Sequence, residues 1–181
     1  MNQFLNMAQQ AGLYVIARPG PYINAETDGG GIPSWVLTSP NGYRTDSEPY
    51  LSAALQWYSE IDSIITAHQI TKGGDVILYQ IENEYTGTSA GDLQYLADLE
   101  QQAHSDGIDV PLITCWTKQI RGIKDGPLRG VFDCTNFYPR WNVAKELGGK
   151  LTQVRTQQPD APLMTTEMQG GWFAKVGGRC V

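Results

Sequence analysis

Residues 73–85 read GGDVILYQIENEY, and this stretch decides the fold. Two glycines precede the apolar run 76–79, and the polar residues Glu82, Asn83 and Glu84 follow shortly after it. A short apolar run bounded by turn residues is typical of a buried strand in a parallel sheet. We therefore predict a strand over 75–81 that delivers a polar segment to one edge of a sheet.

The same alternation of short apolar runs and longer amphipathic segments continues along the chain and indicates βαβ units. It predicts α/β as the fold class. We saw no internal repeat or linker, so we expect a single domain. Strands are predicted over 13–18, 75–81, 110–116, 131–138 and 162–168, and helices over 2–11, 49–69, 91–106 and 142–158.

The composition restricts the class of protein. The chain has 181 residues, 41% of them hydrophobic and 18% charged, as expected of a folded domain. Its net charge of −6 opposes nucleic acid as a partner, because binding to phosphates needs clustered Lys and Arg. Its apolar runs are too short for a membrane span, and residues 1–8 lack the pattern of a signal peptide.

The cysteines and histidines do not suggest a metal site. Cys115, Cys134 and Cys180 are too scattered for a disulfide scaffold or a CxxC site, which leaves one disulfide or buried free thiols open. We expect His68 and His104 to lie on helix faces near solvent, without a catalytic role.

Chemically useful side chains follow the predicted strands. Asn24 and Glu26 come after the first strand, Glu84 after the second and Glu167 after the fifth. In an α/β barrel the carboxyl ends of the strands form the active face, and several strands supply catalytic groups. An isolated Glu is more often a salt-bridge partner or a helix cap, but the position of Glu84, between Asn83 and an aromatic residue, favours a general acid.

Glu82 is expected to have a structural role. Strand alternation would place Gln80, Glu82 and Glu84 on one side if extended geometry continued to the end. We predict that Glu82 pairs with Arg18 on the neighbouring strand.

Glu167 is the second candidate carboxylate, in the segment 165–173 with sequence TTEMQGGWF. Gly170 and Gly171 allow close approach of the backbone to a ligand, while Trp172 and Phe173 can form an apolar wall for a sugar. A turn and core aromatics are the alternative interpretation. Two carboxyl groups suit glycoside hydrolysis, although their separation in sequence does not define the stereochemistry.

Three segments resemble the signature of glycoside hydrolase family 35: RPGPYINAE at 18–26, GGGIPSW at 29–35 and GGDVILYQIENEY at 73–85. The resemblance extends over essentially the whole chain. It implies a (β/α)8 TIM barrel, of which this chain would supply about strands 3–7 with the intervening helices. We therefore expect residues 1–181 to be an incomplete catalytic domain, without the N-terminal strands, the last strand and the accessory β domains.

The resemblance also implies the chemistry. It assigns the acid/base to Glu84 and the nucleophile to Glu167 of a retaining β-galactosidase that uses no metal or other cofactor. The implied substrate is a β-galactoside oligosaccharide or glycan, and the family is compatible with an extracellular, secretory or lysosome-like setting. Residues implied to contact the sugar or lie beside the nucleophile are Asn24, the backbone of Ala25, Glu26, Asn83 and Tyr138.

Two alternatives stay open at this point. One is a carbohydrate-binding pseudoenzyme or an inactive fragment, which the incomplete barrel favours. The other is an exo-β-glycosidase with the same mechanism and another sugar, because related barrels share the carboxylate pair.

Overall fold

The computed structural model describes residues 1–85, 90–116, 128, 130–139 and 142–169. These residues form a five-stranded parallel sheet whose strand order follows the chain order. All five predicted strands are confirmed, each two or three residues shorter than expected. The strands are β1 (Val15–Ala17), β2 (Val76–Gln80), β3 (Leu112–Trp116), β4 (Phe132–Phe137) and β5 (Thr165–Met168).

The four predicted helices are also present, and two short helical segments lie in the long loop after β1. The predicted helix over 49–69 ends at Ile65 and continues as two 3-10 turns, Thr66–His68 and Ile70–Lys72. The helices within the described ranges are α1 (Asn2–Gln10), α2 (Asp28–Gly31), α3 (Ser34–Leu37), α4 (Tyr50–Ile65), α5 (Ala90–Ser105) and α6 (Val143–Gln157).

The connections between neighbouring strands define the architecture. Helix α4 lies between β1 and β2 in the chain, α5 between β2 and β3, and α6 between β4 and β5. Parallel strands in sequential order with helical crossovers are the repeating unit of a (β/α)8 barrel. The prediction of a partial barrel is therefore confirmed.

The core lies between the sheet and the helices α4 and α5. In α4, the amphipathic segment predicted over 49–69 contributes Tyr58, Ile61 and Ile65 to this core, and all three are buried. From the sheet, Tyr79 packs edge-to-face on Tyr58 with ring centroids 6.0 Å apart. The hydroxyl of Tyr58 donates to the carbonyl of Gly20 at 2.7 Å, which ties the core to the loop after β1.

One of the two predictions for the histidines is wrong. His68 is buried, and its ring nitrogen lies 2.6 Å from Oδ1 of Asn2. It lies in the 3-10 turn Thr66–His68, beyond the end of α4. His104 is exposed near the end of α5, as expected. None of the described helices has both the length and the apolar character that a membrane crossing requires.

The cysteines within the described residues are buried free thiols. Cys115 on β3 and Cys134 on β4 are register partners, and neither forms a disulfide. Cys180 lies outside the described residues.

Candidate active site

The carboxyl ends of strands β2, β4 and β5 place polar side chains at one edge of the sheet. Strand β2 leads into Asn83 and Glu84, and β4 ends just before Tyr138. Register pairs Asn136 on β4 with Glu167 on β5. Residues from distant parts of the sequence therefore meet because parallel strands end at a common edge.

The turn after β2 departs from the predicted extended geometry. Glu82 and Glu84 have φ values of 58° and 49°, a left-handed conformation that few residues other than glycine adopt. The two side chains do not continue the alternation of the strand, so this prediction was wrong. Glu82 is buried, whereas Glu84 is half-buried and reaches toward β4.

Glu84 is held from β3 and β4. Its Oε1 accepts a hydrogen bond from Nδ2 of Asn136 at 2.6 Å and lies 3.5 Å from the Tyr138 hydroxyl. Its backbone N–H donates to Sγ of Cys115 at 3.3 Å. Burial raises the pKa of the Cys115 thiol to about 11, so this thiol stays protonated.

Glu167 is held by one hydroxyl and one guanidinium. Tyr138 donates to its Oε2 at 2.6 Å, and Arg18 forms an ion pair with its Oε1. Burial by itself raises the pKa of this carboxyl, but the hydrogen bonds from Tyr138 and Arg18 and the charge of Arg18 outweigh burial. The pKa of Glu167 therefore lies below its ordinary value, and the group is ionised at neutral pH.

Tyr138 sets the separation of the two carboxylates. Its hydroxyl lies 2.6 Å from an oxygen of Glu167 and 3.5 Å from an oxygen of Glu84. These two oxygens are therefore no more than about 6 Å apart, which lies below the roughly 6.5–9.5 Å of inverting glycosidases and is compatible with the roughly 5–5.5 Å of retaining ones. Burial and the bond to Glu167 raise the pKa of Tyr138, so its hydroxyl remains a donor.

The amide of Asn83 lies beside this pair, and its oxygen is the hydrogen-bonded end. Its Oδ1 accepts hydrogen bonds from Arg18 at 2.8 Å, Gln80 at 3.2 Å and the Cys115 thiol at 3.2 Å. Three donors on one atom identify that atom as the oxygen. The Nδ2 group points elsewhere and makes no hydrogen bond to any described residue, so it is available to a ligand.

A cavity of about 140 Å³ opens beside Glu167 and Asn83. A larger apolar cavity of about 450 Å³ lies between the loop after β1 and α4, and none of the predicted site residues lines it. The smaller cavity is lined by Arg18, Gly20, Tyr22, Ile23, Gln80, Glu82, Asn83 and Glu167.

The loop that holds Asn24, Ala25 and Glu26 is built on a tight turn. Ala25 forms a bridge with Gly30, whose φ is +79° and where an added Cβ would lie 2.0 Å from the Tyr22 ring. Asn24 and Glu26 are exposed, and Oδ1 of Asn24 accepts from the Tyr22 hydroxyl at 2.7 Å.

The structure thus brings together four of the predicted site residues but not all seven. Asn83, Glu84, Tyr138 and Glu167 form one hydrogen-bonded group with Arg18. Within the described ranges, no hydrogen bond joins the three residues of the loop directly to Glu84, Glu167 or Asn83. The predicted wall at 170–173 lies outside the described residues.

Sequence reasoning misassigned Arg18 and missed Arg44. Glu82 is structural, as predicted, but its partner is Arg44 at 2.7 Å and not Arg18, whose guanidinium faces Glu167. Arg44 lies in an irregular loop, so no periodicity marks it. Asn136 was also missed, although a polar residue two positions before Tyr138 at a strand end is a usable signal.

Comparisons with known proteins identify the family of this chain. Residues 1–180 match the family model described as glycosyl hydrolases family 35. The chain is 38% identical to Beta-galactosidase A of Penicillium sp over an alignment of 199 positions, and 35% identical to Beta-galactosidase of Aspergillus niger over 200 positions. Each alignment covers 98% of this chain and 19% of the relative, so the chain spans about a fifth of the length of these relatives.

Solved structures show a similar fold at low sequence identity. A beta-D-glucuronidase of Dictyoglomus thermophilum matches 95% of this chain and 29% of its own, with a TM-score of 0.59 and 14% identity. An FMN-binding beta-glucuronidase of Facaelibacterium prausnitzii L2-6 matches 97% of this chain and 24% of its own, with a TM-score of 0.60 and 14% identity. The family match over nearly the whole sequence is decisive, and the chain belongs to glycosyl hydrolases family 35.

Proposed function

We propose that this chain provides the catalytic carboxylates of a retaining β-galactosidase, which removes terminal non-reducing β-D-galactose from β-galactoside oligosaccharides or glycans. One observation is central to the proposal. Glu84 and Glu167 approach the same Tyr138 hydroxyl and are held no more than about 6 Å apart, oxygen to oxygen. The relatives named β-galactosidases support the choice of sugar.

The environment of Glu167 suits the role of nucleophile. Glu167 has a lowered pKa and is ionised, so it attacks the anomeric carbon and forms a covalent galactosyl-enzyme. Glu84 donates its proton to the departing glycosidic oxygen as that bond breaks. Glu84 then removes a proton from water, which attacks the anomeric carbon and releases Glu167. The steps require the two carboxyl groups and water.

Selection of the sugar is assigned to the polar groups around the cavity. The Nδ2 group of Asn83, which makes no hydrogen bond to a described residue, is a donor for a sugar hydroxyl, and Asn24, the backbone of Ala25 and Glu26 are proposed as further contacts. A site that hydrogen-bonds each hydroxyl rejects an epimer because the wrong hydroxyl leaves buried groups unpaired. Glucosides and N-acetylglucosaminides are therefore expected to be poor substrates.

Residues 1–181 are proposed to be part of one catalytic barrel domain. Support comes from the sheet, in which β1 and β5 are edge strands, and from the fifth of each relative that the alignments cover. Barrel closure would pair these edges with further strands.

Glu84→Gln and Glu167→Gln in the full-length gene product test the proposal. With an aryl β-galactoside, each substitution should lower turnover by at least about 100-fold, because each removes an acid/base or nucleophile. Glu60→Gln, on the exposed side of α4, is the matched control and should keep normal activity. Near-normal turnover by either active-site variant, or faster cleavage of an aryl glucoside than of the galactoside, would disprove the assignment.

A further inference from the structure

The backbone of the turn between β2 and Tyr85 is strained at two glutamates. Glu82 and Glu84 have left-handed φ values on either side of Asn83. Such conformations cost free energy and persist only where the surrounding contacts determine them fully. Something other than local preference therefore holds the backbone that presents Asn83 and Glu84.

The carboxylate of Glu82 is one part of this restraint. It is only 1% exposed, and it accepts four hydrogen bonds. Arg44 donates to both oxygens, at 3.2 and 2.7 Å, and the Tyr95 hydroxyl donates at 2.7 Å. The fourth donor is the backbone N–H of Asn83 at 2.7 Å.

Arg44 binds the backbone of Asn83 on its carbonyl side. One of its nitrogens donates to the carbonyl of Asn83 at 2.6 Å in addition to its bonds with Glu82. The backbone N–H and C=O of Asn83 are thus bound by the two members of one ion pair. A planar guanidinium can serve a carboxylate and a carbonyl together, whereas an ammonium group lacks this fixed fork.

The same guanidinium connects the turn to the loop after β1. It lies 4.0 Å from the ring centroid of Tyr22 and 5.2 Å from that of Tyr85. Tyr22 in turn donates to Asn24 at 2.7 Å. Arg44 therefore contacts both the strained turn and the residue that holds Asn24.

We propose that Arg44 and Glu82 form a positioning pair that fixes the Asn83–Glu84 turn through the backbone of Asn83 and orients Glu84 for proton transfer. The proposal rests on the proposed function for its kinetic consequence. The other arginine of the site, Arg18, is occupied by Glu167, so Glu82 and Glu167 each have their own guanidinium.

The first test varies the leaving group in the full-length gene product. Arg44→Lys keeps the charge beside Glu82 but cannot make all three bonds of the fork. We expect kcat/KM to fall about 10- to 100-fold for methyl β-galactoside, whose leaving group must be protonated, and less than about 5-fold for 2,4-dinitrophenyl β-galactoside. Glu82→Gln should behave in the same way. A merely structural role would lower kcat/KM by the same factor for both substrates.

Lys72→Met is the matched control. It breaks the exposed Lys72–Asp109 ion pair, which has a distance of 3.1 Å, and should leave kcat/KM unchanged for both substrates. Should Glu82→Gln fail to fold, the charge-preserving Arg44→Lys still tests the proposal.

A second measurement does not depend on turnover. Amide hydrogen exchange of peptides that cover 80–85 should be at least about 10-fold faster in Arg44→Lys than in the wild type, while α4 is unchanged. An inactive wild type would overturn the proposed function and leave this measurement valid. Unchanged exchange over 80–85, or an equal loss of kcat/KM for both galactosides, would overturn the positioning pair.

Discussion

The hydroxyl of Tyr138 lies close to both Glu84 and Glu167, so Tyr138→Phe perturbs the candidate site directly. The substitution removes the donor that lies 2.6 Å from Glu167 and 3.5 Å from Glu84 and keeps the ring. A hydrogen bond to a charged group contributes about 1.5–3 kcal/mol. Because the Glu167 side chain is 32% exposed, water replaces part of the lost bond. We expect a loss of about 1.5–2 kcal/mol, which is about 10- to 30-fold in kcat/KM.

The same substitution should change the pH dependence in a defined direction. Despite burial, which acts in the opposite sense, the bond from Tyr138 helps to hold the pKa of Glu167 below its ordinary value. Without that bond the carboxylate binds its proton more tightly, and less of Glu167, the proposed nucleophile, is ionised in acid. The acidic limb of the kcat/KM profile should therefore move to higher pH.

The assay is kcat/KM for an aryl β-galactoside from about pH 3 to pH 8, because this parameter reports the ionisation of the free enzyme. Tyr14→Phe, at an exposed position far from the carboxylates in sequence, is the control and should leave the profile unchanged. An acidic limb that stays in place or moves to lower pH in Tyr138→Phe would refute the reasoning about Glu167.

Two further predictions concern stability. Burial raises the pKa of Asp62 to about 7, so the unfolded chain loses this proton at lower pH than the folded one, and stability should fall as pH rises from about 4 to about 7. Asp62→Asn keeps an acceptor for Tyr79 and should remove this loss of stability. At about pH 8, its free energy of unfolding in urea should exceed that of the wild type by up to about 4 kcal/mol. Equal pH dependence of stability in the two proteins would contradict the prediction. Gly74→Ala would place Cβ 2.0 Å from the backbone carbonyl oxygen of His68 and should lower the free energy of unfolding by at least about 2 kcal/mol. Gly148→Ala is the control and should not lower it, because there is open space around Gly148. Equal stability of the two variants would contradict the prediction.

The strands and the main helices could be predicted from the sequence because local patterns encode them. The run 76–79 is apolar on both faces, as a central parallel strand requires, and α4 has an apolar stripe at helical spacing. Their order in the chain is also their order in the sheet. The common edge at which Glu84 and Glu167 meet therefore followed from the pattern, while their separate roles came from the family resemblance.

The turn at 82–84 could not be predicted in this way. Glutamate does not favour a left-handed backbone, so residue type indicates continued extension after Gln80. The observed conformation depends on Arg44 and Tyr95, which are distant in sequence and bind the buried Glu82 carboxylate. Long-range polar contacts of this kind leave no periodic signal, and the pairing of Glu82 with Arg18 was wrong for this reason.

The covalent intermediate on Glu167 tests the account most directly. The full-length gene product would be incubated with a 2-deoxy-2-fluoro-β-galactoside carrying a good leaving group, which slows release of the sugar from the nucleophile, and then digested for mass spectrometry. The account predicts one fluorogalactosyl group on the peptide that contains Glu167, and none in Glu167→Gln. A label on another carboxylate, or turnover of galactosides without any trapped intermediate, would contradict it.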